Sequence, residues 1–81
     1  MEIKVLGTGC PKCRSLEKNV RDAVGELGIK ADITKVEDII EIMNFGIIRT
    51  PGLVINNKVV SSGQILSLNQ IKEIIIKNQK L

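Results

Sequence analysis

The chain has 81 residues, of which 43% are hydrophobic and 26% are charged, so we expect one folded domain over residues 1–81 with one modest core. Its 12 basic and 9 acidic residues give a net charge of +3, and the two signs are interspersed along the chain. Because only one residue is aromatic and the basic residues are scattered, the composition argues against nucleic-acid binding.

The first predicted element is a strand over residues 2–6. It has little polar content beyond Glu2 and Lys4, which suits a central strand that is covered on both faces. A Gly7-Thr8-Gly9 loop follows and leads into Cys10-Pro11-Lys12-Cys13, which contains the only two cysteines of the chain. The sequence therefore places both thiols directly after the first strand.

A helix is predicted over residues 11–27, where apolar side chains recur at helical spacing. This stripe consists of Leu16, Val20, Ala23, Val24 and Leu27. Pro11 suits the first helical position, because its missing N–H would be unpaired there, and Cys10 then becomes the N-cap residue. Gly28 is expected to end the helix in a left-handed conformation.

The spacing of the two cysteines predicts redox chemistry. At positions i and i+3 they share one helix face, where their sulfurs can bond to each other with little strain. Cys10 lies at the positive end of the helix dipole and near free first-turn amides, which favour its thiolate. We therefore expect Cys10 to attack a substrate disulfide and Cys13 to attack Cys10 in turn. A purely structural disulfide that closes so short a loop would stabilise the fold by only roughly 2 kcal/mol.

The middle of the chain predicts a second strand and a short helix. Residues 29–34 alternate between apolar and polar side chains, as in a half-buried strand. Thr34 and Glu37 have the spacing of a capping box, so we expect a short helix to follow and to end at Gly46. Its apolar residues are Ile39, Ile40 and Met43.

Residues 47–50 lead into Pro51 and a predicted hairpin. Strands over residues 53–55 and 58–60 are joined by Asn56-Asn57, and asparagine tolerates the positive φ of a tight turn.

The last helix is predicted to begin at a second capping box, formed by Ser67 and Gln70. Its inner face consists of Ile71, Ile74 and Ile75, with Leu68 as a further candidate, and Lys77 and Lys80 lie near its C-terminal end. The predicted order is β-α-β-α-β-β-α, an α/β fold with a four-stranded mixed sheet flanked by helices. The first two strands are expected to be parallel and joined by a right-handed crossover.

With this order the chain resembles the thioredoxin superfamily, especially its small single-domain thioredoxin-like and glutaredoxin-like members from archaea and bacteria. Three features carry the resemblance: Cys10-Pro11-Lys12-Cys13 at the first strand-to-helix junction, Thr50-Pro51 before the hairpin, and Gly63 after it. The resemblance implies a thioredoxin-like fold and an enzyme that reduces protein disulfides, for which we expect neither a cofactor nor a metal.

The resemblance also implies roles for residues near the cysteines. The Thr50–Pro51 bond is expected to be cis and to face the sulfurs, which leaves the Thr50 backbone free to pair with an extended substrate segment. Gly63 is expected to leave space beside the site. Further candidate substrate contacts are Gly9, Pro11 and Lys12.

The chain departs from the family pattern at several positions. Gly9 stands where larger thioredoxins have a tryptophan, and Lys4 stands where they have a buried acid, so the proton relay of that acid is not expected here. Lys12 stands where glutaredoxins have a tyrosine, and Ser61-Ser62-Gly63-Gln64 replaces the glycine and acidic pair that hold glutathione. We therefore expect a thioredoxin-reductase-like flavoprotein as the electron donor.

A soft-metal carrier or sensor is the alternative, because small metal chaperones also carry a Cys-x-x-Cys after their first strand and two thiolates suit Cu(I) or Zn. Those domains run β-α-β-β-α-β with a methionine shortly before the first cysteine, whereas Thr8-Gly9 precedes Cys10 here. Two cysteines without a histidine complete a tetrahedral zinc site only if a second chain contributes.

The sequence contains neither a recognisable secretory signal nor an apolar run of membrane-spanning length. We expect a cytoplasmic monomer that acts on disulfide-containing proteins and has no nucleic-acid or membrane partner. In that compartment a disulfide is more often catalytic than structural.

Overall fold

A computed structural model describes residues 1–47 and 49–79. Its strands are β1 (Glu2–Leu6), β2 (Asp32–Val36), β3 (Gly52–Ile55) and β4 (Lys58–Ser62), and its helices are α1 (Pro11–Leu27), α2 (Ile39–Asn44) and α3 (Leu68–Gln79). The predicted element order and the four-stranded mixed sheet are confirmed. Ile48 and Lys80, which the sequence predictions include, lie outside the described residues.

The sheet has the strand order β2-β1-β3-β4, so β1 is one of the two interior strands, as its apolar content predicts. β1 runs parallel to β2 and antiparallel to β3, and β3 pairs antiparallel with β4. In the hairpin, Asn56 and Asn57 have φ angles of 51° and 66°, which confirms the predicted two-residue turn.

The two faces of the sheet bury two clusters of apolar side chains, because successive side chains of a strand point to opposite faces. The larger cluster packs β1 and β3 against α1 and α3, and its fully buried members include Ile3, Leu16, Leu53, Ile71 and Ile75. The smaller cluster lies on the side of α2 and consists of Leu6, Val36, Ile42, Ile47 and Val54. The start of α1 is thus anchored on the larger cluster.

Local signals set several element ends as predicted. Gly28 ends α1 with a φ of 64°. At the start of α3, the Ser67 N–H donates to Gln70 Oε1 at 2.9 Å, and the Gln70 N–H donates to Ser67 Oγ at 3.3 Å, which is a complete capping box. Lys77 lies in the last turn of α3. Within the described part of the chain, no helix has the length and apolarity needed to cross a membrane.

The predicted start of the second helix is wrong. Thr34 lies inside β2, in register with Lys4, because pairing with β1 continues as far as Val36, which is buried. The N-cap of α2 is Asp38, whose carboxylate accepts the N–H of Ile40 at 3.1 Å. The second strand therefore lies at Asp32–Val36 rather than at 29–34, since its register follows the central strand.

Candidate active site

Cys10 is the N-cap residue of α1, as the position of Pro11 predicts. Its backbone is extended, with φ −69° and ψ 164°, and its Sγ accepts the backbone N–H of Cys13 at 3.3 Å. That N–H belongs to the first turn, where no helical carbonyl is available to accept it. The sulfur therefore takes the place that an oxygen takes in an ordinary helix cap.

The two sulfurs lie together but differ in exposure. Cys10 Sγ and Cys13 Sγ are 2.6 Å apart. Cys10 is half-buried, whereas Cys13 is 5% exposed and belongs to the core. A partner can thus reach Cys10 from solvent, while Cys13 lies behind it.

The environment separates the pKa values of the two thiols. The Cys13 thiol, which hydrogen-bonds the sulfur of Cys10, and the backbone N–H of Cys13 lower the pKa of Cys10, and the Lys12 N–H adds to this. Burial, followed by the hydrogen bond to Cys10, raises the pKa of Cys13. As pH rises, Cys10 therefore becomes a thiolate first, and Cys13 keeps its proton.

Gly7 supports this site, although the sequence indicated only a loop glycine. It is buried, and its N–H donates to the Val36 carbonyl at 2.9 Å, which ties the end of β1 to β2. A Cβ on Gly7 would collide with the sulfur of Cys13 and lie 3.0 Å from the Cβ of that residue. Only a glycine leaves room for the buried thiol at this point.

A Gly7→Ala variant is expected to destabilise the reduced protein by about 1–3 kcal/mol, because its new methyl group overpacks a closed site. Gly25→Ala is the matched control, since nothing lies within 4 Å of a Cβ at that helical position. That variant is expected to be neutral or up to about 1 kcal/mol more stable. Guanidinium unfolding of both proteins measures the difference, and equal stabilities would contradict this account of Gly7.

Strand pairing brings Pro51 to the same edge of the sheet as the cysteine loop. Leu6, the last residue of β1, pairs with Gly52, the first residue of β3. Gly7 directly follows Leu6 and Pro51 directly precedes Gly52, so both lie at the same end of these two strands. The Thr50–Pro51 peptide bond is cis, and the side chain of Pro51 is fully buried.

Gly63 lies next to Pro51, to whose carbonyl oxygen its N–H donates at 2.8 Å. Its φ is 72°, and a Cβ there would lie 2.9 Å from the Cβ of Arg49. The space beside this glycine is thus taken up by the Arg49 side chain.

An apolar groove opens between the cysteine loop and α2. It is lined by Thr8, Ile39, Ile42, Met43, Ile47 and Thr50. Ile39 and Met43 are each 60% exposed, and Ile40 is 69% exposed. The sequence predicts that these side chains lie on a short helix, but their spacing does not indicate that Ile39 and Met43 line the same groove as Thr50.

The remaining candidate positions lie around the loop. Gly9 has a φ of 88°, a left-handed conformation that favours glycine, and Pro11 and Lys12 are exposed in the first turn of α1. Lys4 contacts residues other than the two cysteines. Its ammonium pairs with Glu2 at 3.4 Å and lies 5.3 Å from the centre of the Phe45 ring.

The described residues offer the two thiols no third side chain with which to complete a metal site. Residues 1–47 and 49–79 contain no group of three or more His, Cys, Asp or Glu side chains that could hold a metal ion. Two thiolates in contact can still bind a soft ion if a second molecule completes the coordination.

Fold and site together define an α/β protein with a dithiol at the start of its first helix. A thioredoxin domain model matches residues 1–76. A thioredoxin of Methanothermobacter thermautotrophicus is 40% identical over 75 residues, which cover 93% of this chain and 97% of the relative. A thioredoxin of Methanocaldococcus jannaschii is 46% identical over 71 residues, which cover 88% of this chain and 81% of the relative. The chain therefore belongs to the thioredoxin domain family, and its fold is thioredoxin-like.

Proposed function

We propose that this protein is a thiol–disulfide oxidoreductase that reduces disulfides in other proteins. The observation that supports this most strongly is the pairing of an accessible, helix-capping Cys10 with a buried Cys13 at a sulfur separation of 2.6 Å. Both relatives described above carry the name thioredoxin.

In the proposed reaction, the thiolate of Cys10 attacks one sulfur of a substrate disulfide. A Cys10–substrate disulfide forms, and the other substrate sulfur leaves as a thiolate that takes a proton from water. Cys13 then forms a bond to Cys10 Sγ, which breaks the mixed disulfide and releases the second substrate sulfur. Two electrons pass from the dithiol to the substrate, and the protein is left with a Cys10–Cys13 disulfide.

The groove between the cysteine loop and α2 favours protein substrates. Exposed aliphatic side chains of α2 form one wall, and Thr50, directly before Pro51, lies in the same groove. An extended segment next to a substrate cysteine would gain apolar contacts with Ile39 and Met43 and pair with the Thr50 backbone. Gly9, Pro11, Lys12 and Gly63 are proposed to border this contact.

Regeneration of the dithiol requires an electron donor, and we assign this role to a thioredoxin-reductase-like flavoprotein. A cytoplasmic monomer fits the proposal, because thiols are kept reduced in that compartment and a disulfide there is typically transient.

Reduction of insulin disulfides with dithiothreitol as the electron source tests the proposal. Turnover is expected to require both cysteines and to be unchanged in a Ser15→Ala variant, whose exposed serine lies in α1. A wild-type protein that is inert in this assay yet binds Cu(I) or Zn tightly would instead establish the metal-carrier alternative.

A further inference from the structure

An acidic segment forms the α2 side of the apolar groove described above. Residues 36–47, which contain α2, include three acidic residues and no basic residue, although the whole chain has a net charge of +3. The three acids are Glu37, Asp38 and Glu41, and all of them are exposed. The apolar wall of the groove therefore belongs to a negatively charged segment of a positively charged protein.

Glu37 is the acid that lies beside the cysteine loop. Its Oε2 is 3.6 Å from the point at which a Cβ on Gly9 would lie, and Gly9 directly precedes Cys10. The carboxylate thus occupies the rim of the groove, where the loop meets the start of α2. Asp38 instead uses its carboxylate to accept the N–H of Ile40 at 3.1 Å. The ion pairs within residues 1–47 and 49–79 all use other carboxylates, so the charge of Glu37 is available to a bound partner.

The basic residues that flank this segment are engaged elsewhere. Lys35 pairs with Glu17 of α1 at 3.4 Å. The side-chain carbons of Arg49 lie against Gly63, because a Cβ at that glycine would be 2.9 Å from Arg49 Cβ and 3.3 Å from its Cδ. Lys12 is exposed in the first turn of α1. A substrate at Cys10 therefore meets a positive charge from α1 and a negative charge at the α2 side.

Charge and apolar surface together identify the kind of occupant that the groove suits. Two copies of the chain that met through α2 would bring the same acids together, and like charges across an interface are unfavourable. Nucleic acids and anionic membranes would be repelled for the same reason. An extended segment with an aliphatic and a basic side chain would instead bury the first against Ile39 and Met43 and pair the second with Glu37.

We propose that Glu37 selects disulfide substrates that carry a lysine or arginine next to the cysteine attacked by Cys10. This inference rests on the proposed function and names the substrate class of the same site. The neighbouring substrate segment lies in the groove, and the exchange chemistry is unchanged. Because Glu37 is exposed, its pairing with a substrate charge acts mainly on the rate of encounter and weakens with salt.

Peptides that carry thionitrobenzoate on a single cysteine test this selectivity. Attack of Cys10 on the peptide sulfur releases the coloured thionitrobenzoate, and its absorbance gives the second-order rate constant. The peptides share one aliphatic residue and differ only in a lysine, glutamine or glutamate placed before or after the cysteine. Each rate is divided by the rate of dithiothreitol with the same peptide, which removes differences in the intrinsic reactivity of the disulfides.

For one of the two placements, the lysine peptide is expected to react about three- to tenfold faster than the glutamate peptide at about 0.01 M salt. At about 1 M salt, where charges are screened within about 3 Å, the ratio is expected to fall below about two. Glu37→Gln is expected to bring the ratio close to one. Glu73→Gln is the matched control, because it makes the same change of charge at an exposed position of α3, across the sheet from α2.

Equal rates for the lysine and glutamate peptides, a faster glutamate peptide, or a ratio that Glu37→Gln leaves intact would overturn the selectivity. Sedimentation of the wild-type protein and of Glu37→Gln examines the competing occupant. A dimer that this substitution abolishes would show that a second copy covers the groove, which would also overturn the proposal. If no peptide reacts faster with the wild-type protein than with Cys10→Ser, the proposed function itself fails, which is a different result.

Discussion

A Cys13→Ser variant is expected to accumulate a covalent mixed disulfide with its substrate, and a Cys10→Ser variant is expected to form none. The half-buried Cys10 carries the sulfur with the lowered pKa, whereas Cys13 is 5% exposed and its pKa is raised. Removal of Cys13 therefore leaves the first exchange step intact and blocks the release of the substrate. Both variants are expected to lose turnover completely.

The variants are incubated with insulin whose disulfides are intact. Trapping is then measured by non-reducing electrophoresis and mass spectrometry. The adduct is expected at Cys10 and is expected to disappear when dithiothreitol is added. Trapping by Cys10→Ser instead of Cys13→Ser would reverse the assigned roles of the two cysteines.

The second large effect is expected on stability, from Leu16→Ala. Leu16 follows Cys13 by three residues, is fully buried and anchors α1 on the larger apolar cluster. Removing its side chain is expected to cost about 2–5 kcal/mol, because the cavity left behind collapses only in part. For a domain whose total stability is about 5–15 kcal/mol, that is a large fraction.

Guanidinium unfolding of the reduced protein measures this loss, with Ile76→Ala as the control. Ile76 is also helical and is 46% exposed, so its truncation is expected to cost far less. Similar losses for the two variants would show that Leu16 does not anchor the helix that carries the cysteines.

Local signals explain why much of the fold could be predicted from the sequence. The cap of α1, the left-handed Gly28 and the Asn56-Asn57 turn each depend on the conformational preferences of the residues themselves. The apolar stripe of α1 depends on a period that can be counted along the chain.

The features that could not be predicted depend on contacts between distant elements. Thr34 has the spacing of a helix cap, but its partner strand extends β2 past it, so tertiary pairing decided where the helix begins. The need for Gly7 arises from the position of Cys13 in the folded chain, and Glu17 of α1 pairs with Lys35 of β2 only because folding brings these two side chains together. These distances are set by how the elements pack, so they cannot be predicted from a local sequence pattern.

The pKa of Cys10 tests most directly whether a helix-capping sulfur is activated for exchange. In the reduced protein, the rate of Cys10 alkylation by iodoacetamide, followed by mass spectrometry, is proportional to its thiolate fraction and rises as pH rises through that pKa. We expect the midpoint to lie below about 8.5, the value of an unperturbed cysteine, with Cys13 unmodified in the same range. A midpoint at or above that value, or equal modification of both cysteines, would contradict the activation of Cys10 by the start of α1.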